Sequence, residues 1–479
     1  MMTMILERTV GVEIVGAIGR RPGRRIWNTT GVSADSRTLR PGEIFFALPG
    51  ARCDAHDFVV PALEQGAAAA VVSRHVDVPP HFRNRVVRVA DTRRALGESA
   101  RAYRRKWGGT VIAVTGSNGK TTTREMIYHI LSEQMPCKRS PKSFNTDVGV
   151  PLTLFEADPQ DRALIVEMGT NAPGEIAALA SIAEPDAGVI TCIAETHLEG
   201  LGSIAGVARA KAELLLALGP EGVGFLNADD DWFQFLAGSR AGRTISFGTG
   251  EEAAFLGWDV QPNVGRAFLP GETLLAKNGR PTGHYRFKIR GGIVVQLIAP
   301  GRHNVLNALA ALAVADYLGL DLGSAAKRLG SFRLPEMRYE VVHMRDFTVV
   351  FDAYNANPGS MRAALETFRE TAASGRKVAV LGDMLELGAG SEELHRTLGA
   401  QVARSGVNAL WAVGKFAPHV AHAAKENGIP GPVVHADELE AVADQVCAYL
   451  RPGDALLVKG SRAMRMERLM DKLRNELSG

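Results

Sequence analysis

The 479-residue chain has only four cysteines, Cys53, Cys137, Cys192 and Cys447, and their wide spacing forms neither a CxxC pair nor a disulfide framework. Reduced thiols and a cytoplasmic setting are the corresponding expectation. No apolar run approaches the roughly 18 residues of a membrane-spanning helix. The opening segment MMTMILERTVGVEIVGAIGRR has no basic stretch followed by a long apolar one, which argues against a secretory signal. Charge of either sign is scarce in excess: 55 lysines and arginines stand against 52 aspartates and glutamates. With no basic run longer than RAYRRKW, that balance leaves no electrostatic footprint for nucleic acid. Repeats and low-complexity tracts are absent as well.

What is present is an alternation. At about 150 residues per domain the length predicts roughly three domains, and the pattern divides at 1–107, 108–332 and 333–479. The first part carries short apolar runs, EIFFALPG, AAAAVVSR and RVVRVAD, with one helical stretch, DFVVPALEQGA. In the second, TVIAVTG precedes KTTTREMIYHILSE, ALIVEMG precedes GEIAALASIAE, and AGVITCIA precedes SIAGVARAKAELLLAL. Such alternation predicts βαβ units around a parallel sheet. HYRFKIRGGIVVQLI reads as a β-hairpin turned at Gly291 and Gly292. After Pro335, FTVVFDAY, KVAVLGD and ALLVKGS each precede a helical run, predicting a second open α/β sheet. The fold class is therefore α/β in three domains: a small N-terminal α/β unit, a central P-loop unit with a parallel sheet, and a Rossmann-like C-terminal unit.

In VIAVTGSNGKTTTREM a buried strand stops at Gly116, Ser117, Asn118, Gly119, Lys120, Thr121 and Thr122, then a helix begins. A Gly-rich turn at a helix N-terminus gathers backbone N–H groups and the helix dipole at one spot, and Lys120 adds a point charge, so the segment reads as a phosphate cradle. Its two glycines are three residues apart rather than the usual five, a tighter loop that keeps the Gly-Lys-Thr core. The Thr121 hydroxyl suits magnesium.

Other strand ends carry polar groups. Glu167 closes the run LIVE and is open to two readings, a magnesium ligand or a cap for the following helix. His197 in ETHLEGLGS is either a structural hydrogen bonder or part of a cluster with Thr121 and Glu167. Lys211, fourteen residues on, reads from periodicity as a solvated helical lysine. In GRHNVLNALAAL, Asn304 could cap its helix or pair with an adenine edge. FDAYNANPGSM offers Asp352, Tyr354, Asn355 and Asn357 before a helix, and LGDMLELG follows the next strand.

With these segments in order, the chain resembles, over essentially its whole length, the ATP-dependent Mur ligases of bacterial peptidoglycan synthesis. TGSNGKTT, the E-M-G at Glu167, the H-x-x-x-G at His197, the lysine fourteen residues on, GRHNVLNA, FDAYNANP and LVKGS carry the resemblance. DSRTLRPGEIFFALPGARCDAHDF, NTDVGVPLTL, GTNAPGEI, YNANPGSM and LGDMLELG bring it nearer to the branch that joins D-alanyl-D-alanine to a UDP-MurNAc-tripeptide. The resemblance implies ATP-dependent amide formation through an acyl phosphate, with Lys120 and two magnesium ions neutralising charge. Thr121 and Glu167 would hold magnesium, His197 would hold or orient the second ion, and Lys211 would be carbamylated. Asn304 would face adenine, Asp352 the ribose and Arg338, in PEMRYE, the phosphates. Ser36 and Arg37 in SADSR, with the loop after FFALPG, would hold UDP-MurNAc, and Asn145, Thr146, Tyr354 and Asn357 would contact substrate. Thr146 stands where relatives of this branch often carry a second asparagine, and GTNA where they carry GANH. The implied partners are small molecules, and a monomer is expected.

Three alternatives differ in signature. A sister ligase adding the third, diamino acid residue carries DNPR, which this chain lacks. A P-loop switch or motor carries NKxD or LSGGQ, and neither occurs. A ligase-like binding protein without catalysis would have lost some of Lys120, Glu167, His197 and Lys211, which all stand.

Overall fold

The computed structural model describes residues 10–18, 21–50, 53–263, 284–344, 347–371 and 373–477. Thr110–Thr115 lies inside a seven-stranded parallel sheet whose order is Phe255–Leu256, Thr244–Gly248, Val223–Asn227, Ala187–Ile190, Thr110–Thr115, Ala163–Glu167, Cys137–Arg139. Nearly every position of its middle strands is buried, as expected of a sheet covered by helices on both faces. The chain passes from Thr110–Thr115 to the Cys137–Arg139 edge, returns through Ala163–Glu167, and only then crosses to Ala187–Ile190 on the other side. That reversal places a topological switch point beside residues 116–119, where open α/β sheets bind ligands.

The first unit is a four-stranded parallel sheet, Gly31–Ser33, Glu43–Phe46, Ala69–Val72 and Val86–Arg88. Val10–Ile18 pairs antiparallel with Arg21–Thr29, strands that the sequence reading did not contain. The helix Thr92–Trp107 joins this unit to the central one. Asp91 caps its start by accepting from the Arg93 and Arg94 amides, and Gly108 ends it in a left-handed conformation. Tyr103 on this helix donates to the Ala157 carbonyl at 2.6 Å, and Arg104 pairs with Asp186, tying the helix to the central sheet.

The expected hairpin is present: His284–Ile289 pairs antiparallel with Ile293–Leu297, and Trp258–Asn263 adds a third strand. Its inner residues Tyr285, Phe287, Val295 and Leu297 merge with the buried helix His303–Tyr317 into one core. That helix is buried at every position from Asn307 through Ala315, on all sides rather than along one stripe. Leu309 sits at its centre with no exposure. Leu309→Ala is expected to cost about 2–5 kcal/mol, read as a fall in the urea midpoint, with the cavity rather than the site as its cause.

The C-terminal sheet has the order Glu340–Met344, Phe347–Phe351, Ala455–Lys459, Lys377–Gly382, Ala409–Val413, Val433–Ala436. Only the first pair is antiparallel. The strands expected at FTVVF, KVAVLG and ALLVK are there, each followed by its helix, while Glu340–Met344, Ala409–Val413 and Val433–Ala436 are additional. No helix of the described residues is long and apolar enough to cross a membrane.

Candidate active site

The turn after Thr110–Thr115 is tight because two neighbours press on it. A side chain at Gly116, φ 143°, would put Cβ 2.0 Å from the Thr191 hydroxyl, and one at Gly119, φ 81°, would come 2.5 Å from Asn307 Oδ1. Only glycine fits both positions. Lys120 opens the following helix, Lys120–Gln134, and its Nζ donates to the Gly116 carbonyl at 2.8 Å and the Ser117 carbonyl at 3.2 Å. Burial lowers the pKa of the ammonium, an effect that the Glu167 carboxylate opposes.

Glu167 is 2% exposed at the end of its strand. Its Oε2 accepts from the Thr121 hydroxyl at 2.9 Å and from Arg124 Nη1 at 3.0 Å, and its Oε1 accepts from Asn145 Nδ2 at 2.9 Å. It does not cap the next helix, Glu175–Ala183, whose N-cap position is Gly174 with no side-chain cap. Of the two readings of this carboxylate, the capping one falls.

Two cavities meet at the loop. The first, about 450 Å³, is bordered by Lys120, Thr121, Asn145, Thr146, Glu167 and His197. The second, about 340 Å³, is bordered by Thr122, Asn304, Asn307, Asp352, Arg362 and Lys459. Asn118, Gly119, Arg338, Tyr354 and Asn355 border both. The C-terminal unit therefore supplies one wall of each. Arg338 Nη2 donates to Thr121 Oγ1 at 2.8 Å, its guanidinium lies 4.1 Å from the Tyr354 ring centroid, and the Tyr354 hydroxyl meets Ser143. Lys459 Nζ, buried, donates to Asp352 Oδ2 at 2.7 Å and to the Asn355 carbonyl at 3.0 Å.

Asn304 does not cap its helix. The N-cap position is Arg302, with no side-chain cap, and Asn304 Nδ2 donates to the Pro300 carbonyl at 2.6 Å while its Oδ1 accepts from Asn307. This pins the amide in the wall of the second cavity. Lys211 corrects the periodicity reading more sharply: it is 1% exposed. Burial, reinforced by the charge of Lys120, pushes its pKa well below the ordinary lysine value. It does not border either cavity, although the charges of Lys120 and Glu175, which border the first, act on it. His197 borders the first cavity, with its imidazole pKa lowered by burial.

Residues 28–104, 114–315 and 337–462 match, in order, the families described as Mur ligase family, catalytic domain; Mur ligase middle domain; and Mur ligase, glutamate ligase domain. The chain belongs to the Mur ligase family. It is 35% identical over 446 residues to the UDP-N-acetylmuramoyl-tripeptide–D-alanyl-D-alanine ligase of Bacillus subtilis, covering 92% of this chain and 93% of that one. The Escherichia coli protein of the same description is 35% identical, with the same coverage. Among solved structures, MurF from Acinetobacter baumannii superposes with a TM-score of 0.81 at 30% identity over 94% of both chains. MurF ligase from Thermotoga maritima in complex with ADP gives 0.78 at 27% identity, over 94% of this chain and 98% of that one.

Within this Mur ligase the residues singled out from sequence, Lys211 apart, divide into three groups. Ser117, Asn118, Gly119, Lys120, Thr121, Thr122, Glu167, His197, Asn145, Thr146, Asn304, Arg338, Asp352 and Tyr354 border the joined cavities, and Gly116 shapes the loop. Asn357 borders neither: its side chain caps the helix Pro358–Glu370 and exchanges two amide hydrogen bonds with Asn118, at 2.8 and 3.2 Å. Ser36 and Arg37 stand apart in the first unit, beyond the strand Gly31–Ser33, where Arg37 is exposed and pairs with Asp35. Sequence reasoning missed Arg124, which holds Glu167; Glu386, whose Oε2 lies 2.5 Å from His197 Nδ1; and Lys459, which holds Asp352. LGDMLELG and LVKGS carried a signal for the last two.

Proposed function

We propose that this Mur ligase uses ATP to join D-alanyl-D-alanine to UDP-N-acetylmuramoyl-tripeptide, giving UDP-MurNAc-pentapeptide, ADP and phosphate. The observation that carries the reading is similarity across more than nine tenths of the chain to ligases of that description. The γ-phosphoryl group of ATP passes to the free carboxylate of the tripeptide. The dipeptide amine then attacks the acyl carbon, loses a proton, and expels phosphate as the amide bond forms.

Such transfer needs positioning and charge neutralisation rather than covalent work by the protein. In this reading Lys120 and the loop amides cradle the phosphates, Arg338 reaches them from the third unit, and the second cavity takes the nucleoside, with Asn304 toward adenine and Asp352 toward ribose. Asn145, Thr146 and Tyr354 border the path of the muramoyl peptide, and Ser36 and Arg37 hold its UDP end. Asn357 acts through Asn118 on the loop.

The donors fit magnesium. Thr121 and Glu167 present hard oxygens 2.9 Å apart on one wall, and among the described residues no three His, Cys, Asp or Glu side chains converge into a cage. One carboxylate plus substrate phosphates is the usual setting for this ion. Thr121 and Glu167 would hold one ion, and His197 with a carbamylated Lys211 the other; bound magnesium neutralises the phosphate oxygens. We read the protein as a cytoplasmic monomer acting on small molecules; its four cysteines are unpaired, as in a reducing compartment.

The test is phosphate release with ATP, magnesium and UDP-MurNAc-tripeptide, with and without D-alanyl-D-alanine, followed by product mass. Release that depends on the dipeptide and yields the pentapeptide is expected. Turnover only with UDP-MurNAc-dipeptide and a diamino acid would overturn the assignment in favour of the preceding step. Lys459→Met is expected to weaken ADP binding by about tenfold or more, because Asp352 loses the partner that aims it; isothermal titration checks this.

A further inference from the structure

His197 and Glu386 meet where the central and C-terminal units touch. His197 Nδ1 lies 2.5 Å from Glu386 Oε2, and the Glu199 amide donates to the Glu386 carbonyl at 3.1 Å. Between them Leu198 packs against the hydrophobic cores of both units. Both residues of the pair hold left-handed backbone, φ 51° for His197 and 63° for Glu386, a conformation that a non-glycine residue keeps only when its surroundings impose it. Glu386 arrives on the loop after Lys377–Gly382, so its presence at the imidazole depends on the two units being closed.

The chemistry of the contact is directional. A carboxylate only accepts, so in the neutral imidazole the hydrogen sits on Nδ1 and the lone pair on Nε2. His197 borders the same cavity as Thr121 and Glu167. A carboxylate on the far nitrogen is the arrangement that fixes the tautomer and ring of a histidine used toward a cation.

We infer that Glu386 is a positioning residue: closure of the C-terminal unit delivers its carboxylate to His197 Nδ1, which orients the ring and leaves Nε2 as the electron-pair donor toward a divalent cation in the first cavity. Closing the enzyme and completing its cation site are then one event. The inference rests on the ligase reading for the cation's role, but its geometry stands on the pair itself.

The experiment compares wild type, Glu386→Ala and Glu386→Gln. Glu386 is more than half exposed, so all three are expected to melt alike. Ring-nitrogen NMR of ¹⁵N-histidine protein with magnesium and a non-hydrolysable ATP analogue should show Nδ1-protonated His197 in wild type and lose that pattern in Glu386→Ala. Mn²⁺ binding, followed by electron paramagnetic resonance, should weaken about 10–100-fold in Glu386→Ala, and kcat should fall with little change in KM for the dipeptide. Glu386→Gln, whose amide oxygen still accepts from Nδ1, should retain most of each. An unchanged ring pattern and Mn²⁺ affinity in Glu386→Ala would overturn the inference. Failure of the ligase reading would show separately, as wild type without dipeptide-dependent phosphate release, while the NMR and Mn²⁺ measurements still decide the role of Glu386.

Discussion

Lys120→Met is expected to lower kcat for ATP-dependent phosphate release by about 10²–10³-fold, the loss typical when one preorganised charge is removed from a site where negative charge develops. The geometry gives the side chain two roles. Its ammonium ties the Gly116 and Ser117 carbonyls together, and it is the one lysine bordering the first cavity among the described residues. Methionine matches the length of the stem but supplies neither charge nor hydrogen bond. Lys120→Arg separates the roles, since it keeps the charge and changes the reach. A drop in kcat with an unchanged melting temperature for both variants would place the loss in catalysis. Lys120→Met turning over within threefold of wild type would sink the phosphate-cradle assignment.

Lys211→Ala is expected to reduce kcat by about 10²-fold, because in the proposed mechanism this buried side chain, near enough for the charge of Lys120 to act on it, carries a carbamate toward the second ion. An amine held neutral by burial can attack carbon dioxide: the nitrogen–carbon bond forms, one proton leaves the nitrogen, and an anionic carbamate with two oxygens replaces the neutral amine. Protein supplied with ¹³C-bicarbonate should give one carbamate resonance that Lys211→Ala lacks. Without that reaction the lysine is a liability to the fold. Its folded pKa lies below the unfolded value, so the unfolded chain binds more protons and stability rises with pH until the ordinary lysine value near 10.5 is reached. In buffer free of carbon dioxide, Lys211→Met should therefore melt higher than wild type at neutral pH, with the gap closing as pH climbs toward that value.

The spacing of Lys211 already pointed inward, four residues from Val207 and four from Leu215, both buried. What misled the periodicity reading was residue type, since helical lysines are ordinarily solvated, and only the family resemblance opposed it. The tight glycine turn was legible because its geometry is local: strand, turn and helix N-terminus are contiguous. Arg124 was not legible, for a lone arginine on a helix reads as surface, and its partner Glu167 lies 43 residues away. Asp352 and Lys459 are 107 residues apart and meet only through the sheet. ALWAV, the run behind Ala409–Val413, is short, apolar and buried throughout, a pattern that a strand and a piece of buried helix share.

The position of Ala455–Lys459 has a bearing on how the enzyme is made. It is the last strand of its sheet in sequence yet lies between Phe347–Phe351 and Lys377–Gly382, so those two strands have no common neighbour until it emerges from the ribosome. Chains fold from the N-terminus as they are synthesised, and the central unit can bury its core long before this strand exists. A nascent chain would thus carry a finished turn at residues 116–120 while Asp352 still lacked Lys459 and the third unit lacked its middle. Late arrival of one strand therefore leaves the wall of the second cavity without Lys459 until synthesis is nearly complete.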